Sequence, residues 1–250
     1  MSVTQVVCIP GSVAPAAMRY ASLQAALGSD YKLHLKDLEV YSEDEPPAGY
    51  SIEQELAAID LFADSEGLDR FHLLGYSGGG FISLAYAGTR SRRLQSLAVF
   101  EAAAIPGSPT AEERAYSDLL EERLRGLQGA DFMSAFVREQ VKPGAQLPPP
   151  PTAPQPGMQK RPAGIAAMNL AFRAFRFDRE LLSAARFPVI VAYGDMTHEI
   201  EQIKAGLLAR TFADVHVLRF AGLHHFDLPA RIYNPAHVNA LRELWAAAAP

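Results

Sequence analysis

A chain of 250 residues, 49% hydrophobic and 20% charged, has the apolar content for one sizeable folded unit, which excludes general disorder. Its formal net charge of −5 provides no basic surface for nucleic acid or an anionic membrane. Cys8 is the single cysteine, so an internal disulfide and a thiolate metal cluster are both excluded, and its apolar surroundings read as a core position.

The N-terminus lacks the charged start and long apolar region of a signal peptide, and no uncharged stretch is long enough to span a bilayer. The expectation is a cytoplasmic protein with no membrane or nucleic-acid partner. The sequence is silent on oligomeric state.

Residues 3–9 form an apolar, β-branched run, read as a strand, which breaks at Pro10-Gly11-Ser12. Pro15 can open a helix reaching about Leu27, with Met18, Leu23 and Leu27 on its apolar side. Residues 31–40 alternate Tyr31, Leu33, Leu35 against Lys32, His34, Lys36, as a partly exposed edge strand does. An acidic, Pro-rich loop over 43–50 leads to Ser51, which with Gln54 has the parts of a capping box. The helix it starts carries Ile52, Leu56, Ile59 and Phe62 on one face.

Phe71-His72-Leu73-Leu74 reads as a short buried strand, and 81–86 has apolar residues at helical spacing. Between them lies Gly75-Tyr76-Ser77-Gly78-Gly79. A G-x-S-x-G pattern between strand and helix is a nucleophile elbow, where a sharp turn raises the serine oxygen above the sheet. Its glycines allow the tight turn and the close approach of helix and strand. Arg90, Arg92 and Arg93 fall where this helix should end and would complement its dipole.

Residues 94–100 make another apolar strand, ending at Glu101. A carboxylate closing a buried strand is expensive without a partner, which marks Glu101 as a candidate functional residue; an ion pair to a later arginine is the alternative. Strands follow at 187–193 and 215–220, with helices over 200–212 and 235–248. Near-continuous apolar strands separated by helices imply an α/β fold with about six mostly parallel strands flanked by helices.

The alternation breaks over 105–186. This segment holds helical stretches at 111–127, 131–141 and 165–177, and a proline-rich run at 147–156 that suits extended polyproline. An insertion after a strand end tends to cover the ligand crevice of an α/β sheet. Phe132, Met133, Phe136, Met158, Met168, Phe172 and Phe175 would supply apolar pocket surface. The expected organisation is a core of 1–104 and 187–250 with a helical, Pro-rich cap or lid at 105–186. The same insertion could instead serve as an interface.

The segments around Ser77, Glu101 and His225 resemble the α/β-hydrolase family, its serine esterase/lipase branch, over most of the chain outside the insertion. That resemblance implies Ser77 as nucleophile, a carboxylate at a strand end, and a late histidine, in that chain order. His225-Phe226 matches the family's Gly-His-Phe loop best, with His224 in the glycine position as the alternative base. The usual acid register after the fifth strand reads Gly194-Asp195-Met196-Thr197, which puts Thr197 at the acid position. Some members take the acid from the preceding strand end, so Glu101 is favoured and Asp195 is the alternative. The N–H groups of Gly78 and Ser12 would form the oxyanion hole, although Pro10 stands where histidine is common.

The activity implied is a cofactor-independent serine hydrolase that cleaves a carboxylic ester or related acyl bond of a small molecule through an acyl-enzyme. A serine at the elbow argues against the aspartate-dependent dehalogenase and epoxide-hydrolase branches. Carbon–carbon bond hydrolases and acyltransferases share the triad, and a non-catalytic module binding a small ligand is the alternative from another class. No metal site stands out.

Overall fold

A computed structural model describes residues 3–149 and 157–248. Six strands, β1 (Thr4–Ile9), β2 (Tyr31–Leu35), β3 (Phe71–Tyr76), β4 (Leu94–Phe100), β5 (Val189–Gly194) and β6 (Val215–Phe220), form one sheet ordered β2-β1-β3-β4-β5-β6. Every pairing is parallel, so the strand C-termini share one edge. The flanking helices are α1 (Ala16–Ala26), α2 (Ile52–Ser65), α3 (Gly78–Thr89), α8 (Ile200–Thr211) and α10 (Pro235–Ala247). Between β4 and β5 run α4 (Ala111–Leu124), α5 (Gly129–Arg138), α6 (Arg161–Ala174) and the single turn α7 (Glu180–Ser183); a second single turn, α9 (Pro229–Ile232), precedes α10.

The strand period of two divides the core. Val7, Ile9, Leu73, Val99 and Val191 face α2, α3 and α8, whereas Val6, Cys8, Leu74, Phe100 and Ile190 face α1 and α10. Both faces are covered, which explains why β3 and β5 are buried at every position. Each large aliphatic side chain sealed in these layers contributes about 1.5–3 kcal/mol. Met168, Ala171 and Leu182 from the segment between β4 and β5 join the first layer. A smaller cluster of Leu124, Phe136 and Ile165 packs with Val13 and Phe226, over the C-terminal edge of the sheet.

Ser51 and Gln54 form the expected capping box, and a second one, Thr110 with Glu113, opens α4. Arg90 and Arg93 do more than end α3: they bind Asp60 and Asp64 of α2. The edge strand expected over 31–40 stops at Leu35. There the Asp37 carboxylate turns away to accept the N–H of Ala16 at 2.6 Å, and Glu39–Tyr41 coils into a 3-10 turn. The helix expected over 165–177 runs Arg161–Ala174 instead, because Pro162 in its first turn pre-sets helical geometry. Of the proline-rich run, residues 150–156 lie outside the described residues.

Candidate active site

The elbow is built by close approach. A Cβ on Gly79 would lie 2.4 Å from the Pro10 carbonyl oxygen, and one on Gly75 would lie 2.3 Å from Ser83 Oγ. Without side chains there, α3 sits down on β1 and β3, and the turn between them is forced tight. Ser77 takes φ 54° and ψ −118° as a result. The strain is held from several sides: Ser77 N–H donates to the Phe100 carbonyl (3.1 Å), and the Ser77 carbonyl accepts from Phe81 (3.1 Å) and Ala103 (2.9 Å).

Glu101 has φ 46°, and Ser77 and Glu101 are the non-glycine residues with positive φ among those described. The turn at Glu101 lets its side chain leave the end of β4 sideways, across the end of β5. Its Oε1 accepts from the Gly194 N–H (2.7 Å) and the Thr197 hydroxyl (2.6 Å), and its Oε2 faces His225 Nδ1 at 2.7 Å. His225 Nε2 lies 2.9 Å from Ser77 Oγ. One proton arrangement satisfies both contacts: Nδ1–H donates to the carboxylate, and Nε2 accepts from the serine hydroxyl.

The His225 loop is pinned from below. Tyr76 donates its hydroxyl to the His225 carbonyl and stacks on Phe100, with ring centroids 5.4 Å apart. Met196 N–H donates to the Leu223 carbonyl at 2.9 Å.

Ser77, Glu101 and His225 are all buried. Burial drives the His225 imidazole below its ordinary pKa, so the ring rests neutral and able to accept a proton. Burial pushes the Glu101 carboxyl up, against the Thr197 and Gly194 hydrogen bonds and the Lys204 charge, which pull it down.

The alternative residues go elsewhere. Asp195 accepts the Gly222 N–H at 2.7 Å and Arg219 at 3.1 Å, so it holds the turn beyond β6 and makes no hydrogen bond to His225. Its carboxylate leaves the β5 end in the wrong direction. His224 donates from Nε2 to the Gln146 carbonyl at 2.9 Å, while its Nδ1 accepts from Phe226 N–H at 3.2 Å. Both its nitrogens are consumed. No hydrogen bond within the described residues uses the N–H of Ser12 or Gly78, and both residues line the same small cavity as Ser77. Arg161, stacked over Tyr41 at 3.9 Å, donates to the Ser12 carbonyl and holds that loop.

Several supporting residues escape sequence reasoning. Thr197 stands at the usual acid register, and its hydroxyl donates to the Glu101 carboxylate instead. Lys204 of α8 donates to the Ala102 and Ala103 carbonyls and pairs with Glu201 at 2.6 Å, fixing the turn after Glu101. Spacing could have put Glu201 and Lys204 on one helix face, but not over this turn.

The segment between β4 and β5 covers the serine. Phe136, Ile165, Met168 and Phe172 roof a chamber of about 40 Å³ beside Ser12, Ser77 and Gly78. Ala103, Tyr116, Leu120, Asn169 and Phe172 also line a neighbouring cavity of about 830 Å³. A backbone bridge between Val141 and Thr197 ties this segment to the loop after β5. No group of three or more His, Cys, Asp or Glu that could hold a metal ion occurs among the described residues.

The overall fold is shared with solved structures. The chain is similar to a thermophilic esterase from Thermogutta terrifontis, with 20% identity and a TM-score of 0.71 over 99% of this chain and 91% of that one. The chain has the α/β-hydrolase fold. An α/β-hydrolase from Sphaerobacter thermophilus gives 22% identity and a TM-score of 0.66, over 96% of this chain and 93% of the other. A carboxylesterase from Bacillus subtilis gives 16% identity and a TM-score of 0.66, over 99% and 85%. No protein-family model and no curated protein sequence matches the chain. Within the α/β-hydrolase fold, parallel strands bring the ends of β3, β4 and β5 to one edge, where Ser77, Glu101 and the Thr197 loop follow them.

Thr197 yields a test of electrostatics. If Glu101 and His225 work as a carboxylate–imidazole pair, activity needs Glu101 ionised and His225 neutral. Removing the Thr197 hydrogen bond raises the Glu101 pKa, so the acidic limb of the pH–rate profile should move to higher pH. Thr197→Val keeps the volume and is expected to shift that limb by about one pH unit and lower kcat/KM at neutral pH about tenfold. An unshifted limb would reduce Thr197 to a packing residue.

Proposed function

We propose that this chain is a serine hydrolase that cleaves a carboxylic ester or related acyl bond of a small molecule through an acyl-enzyme. The observation that carries this reading is the unbroken line from Ser77 Oγ through His225 to Glu101, with contacts of 2.9 and 2.7 Å, starting at a strained elbow. Ser77 Oγ attacks the acyl carbon while its proton passes to His225 Nε2. Glu101 holds the Nδ1–H tautomer and stabilises the imidazolium. The oxygen of the tetrahedral intermediate takes its negative charge toward the N–H groups of Gly78 and Ser12, and a single such donor is worth about 3–4 kcal/mol of barrier.

Collapse breaks the bond to the leaving alcohol, which takes the proton from His225. Water, deprotonated by the same nitrogen, then attacks the acyl carbon and frees the acid and Ser77. The described part of the 105–186 segment acts as a cap over this chemistry, with Phe136, Ile165, Met168 and Phe172 above the serine. Esterases, hydrolases and a carboxylesterase among the structural neighbours support the same class of reaction. No helix among the described residues is long and apolar enough to cross a membrane.

A fluorophosphonate probe tests the reading. Folded wild-type protein is expected to be labelled, and Ser77→Ala to be unlabelled. A folded wild type that resists the probe would favour a ligand-binding module instead.

A further inference from the structure

A carboxylate that the proposed reaction does not use faces the reaction chamber. Glu201, on the first turn of α8, lines the cavity of about 40 Å³ that also holds Ser12, Ser77 and Gly78. Its residue is 8% exposed, and among the described residues its side chain has one cationic partner, Lys204, at 2.6 Å on Oε1. Lys204 is already committed to the Ala102 and Ala103 carbonyls. Among the described residues no other donor reaches the Glu201 carboxylate, and its oxygens are not among the fully buried atoms lacking a partner, so the spare acceptor faces the chamber. A buried carboxylate with spare acceptor sites is costly unless something completes it.

The geometry of the two cavities decides which part of a substrate meets Glu201. In an acyl-enzyme the acyl group stays on Ser77 Oγ, whereas the alcohol must depart. The small chamber of about 40 Å³ at Ser77 suits the retained group, and the adjoining cavity of about 830 Å³ suits the departing one. One water needs about 10–15 Å³ on the same scale, so the chamber takes an acyl group of only a few heavy atoms.

We propose that Glu201 is a specificity-determining residue, which selects a short acyl group bearing an ammonium or hydroxyl donor and rejects one bearing a carboxylate. The inference rests on the serine-hydrolase reading. Two carboxylates in so small a space would repel strongly, while a donor on the acyl group meets the unused acceptor.

The test compares phenyl acetate, phenyl glycinate and the phenyl half-ester of malonate in the wild type and in Glu201→Gln. The glutamine keeps the shape and an acceptor for Lys204 but carries no charge. Relative to acetate, kcat/KM for the malonyl ester is expected to rise at least tenfold in the variant, and that for the glycyl ester to fall about tenfold. Normalising to acetate removes any general loss of activity or folding. Both ratios within twofold of wild type would overturn the role of Glu201 while leaving the hydrolase intact. Acetate hydrolysis that persists in Ser77→Ala would instead overturn the underlying reaction.

Discussion

Ser77→Ala is expected to lower kcat for ester hydrolysis by about a millionfold without unfolding the protein. The hydroxyl accepts and donates nothing that the fold needs: as the residue before α3 it makes no side-chain capping bond, and its contact is to His225. Alanine tolerates the position about as well as serine, because both carry a single unbranched Cβ at the same positive φ. Thermal unfolding within a few degrees of wild type, with activity at the background level, is the predicted result. A loss of only ten- or a hundredfold would show that another group attacks the substrate. His225→Ala should fall to the same floor, and the double variant should fall no further, since both groups serve one proton transfer.

The second large effect separates the two carboxylates. Glu101→Gln should cost about 10⁴-fold in kcat, since an amide cannot hold the Nδ1–H tautomer by charge or stabilise the imidazolium. The side chain is also buried with the Thr197 hydroxyl and the Gly194 N–H aimed at Oε1, so an amide that turns its NH₂ that way meets two donors. Asp195→Asn should leave kcat within a few-fold. Asp195 serves the Gly222 turn and the exposed Arg219, and its loss is a matter of about 1 kcal/mol of stability. Steady-state kinetics on both variants checks this. The reverse ranking would put the working acid at position 195.

These two predictions draw on very different kinds of information. Ser77 was legible because everything that shapes its turn is local. Gly75, Gly79, the apolar run before them and the helical spacing after them act within a few residues, where backbone sterics hold regardless of the rest of the chain. The same locality made the six strands readable, since a period of two and buried β-branched runs are properties of short segments. Where a distant group intervened, local reading failed: the strand from Tyr31 ended early because Asp37 had a partner at Ala16, 21 residues back in the chain.

Which carboxylate faces His225 is another matter. Glu101 is 124 residues from His225 and 96 from Thr197, whereas Asp195 lies in the same short loop as the expected register at Thr197. Pattern alone ranked the two candidates but left both open. Only the packed sheet decides, because the side-by-side order of β4, β5 and β6 turns one acid across the strand ends and ties the other to the Gly222 turn. The amino-acid pattern determined the fold class and the serine elbow, which depend on steric rules with a reach of one helical turn. The partner of the imidazole, the pinning roles of Thr197 and Tyr76, and the unused acceptor of Glu201 came from tertiary contacts, for which no short-range rule exists.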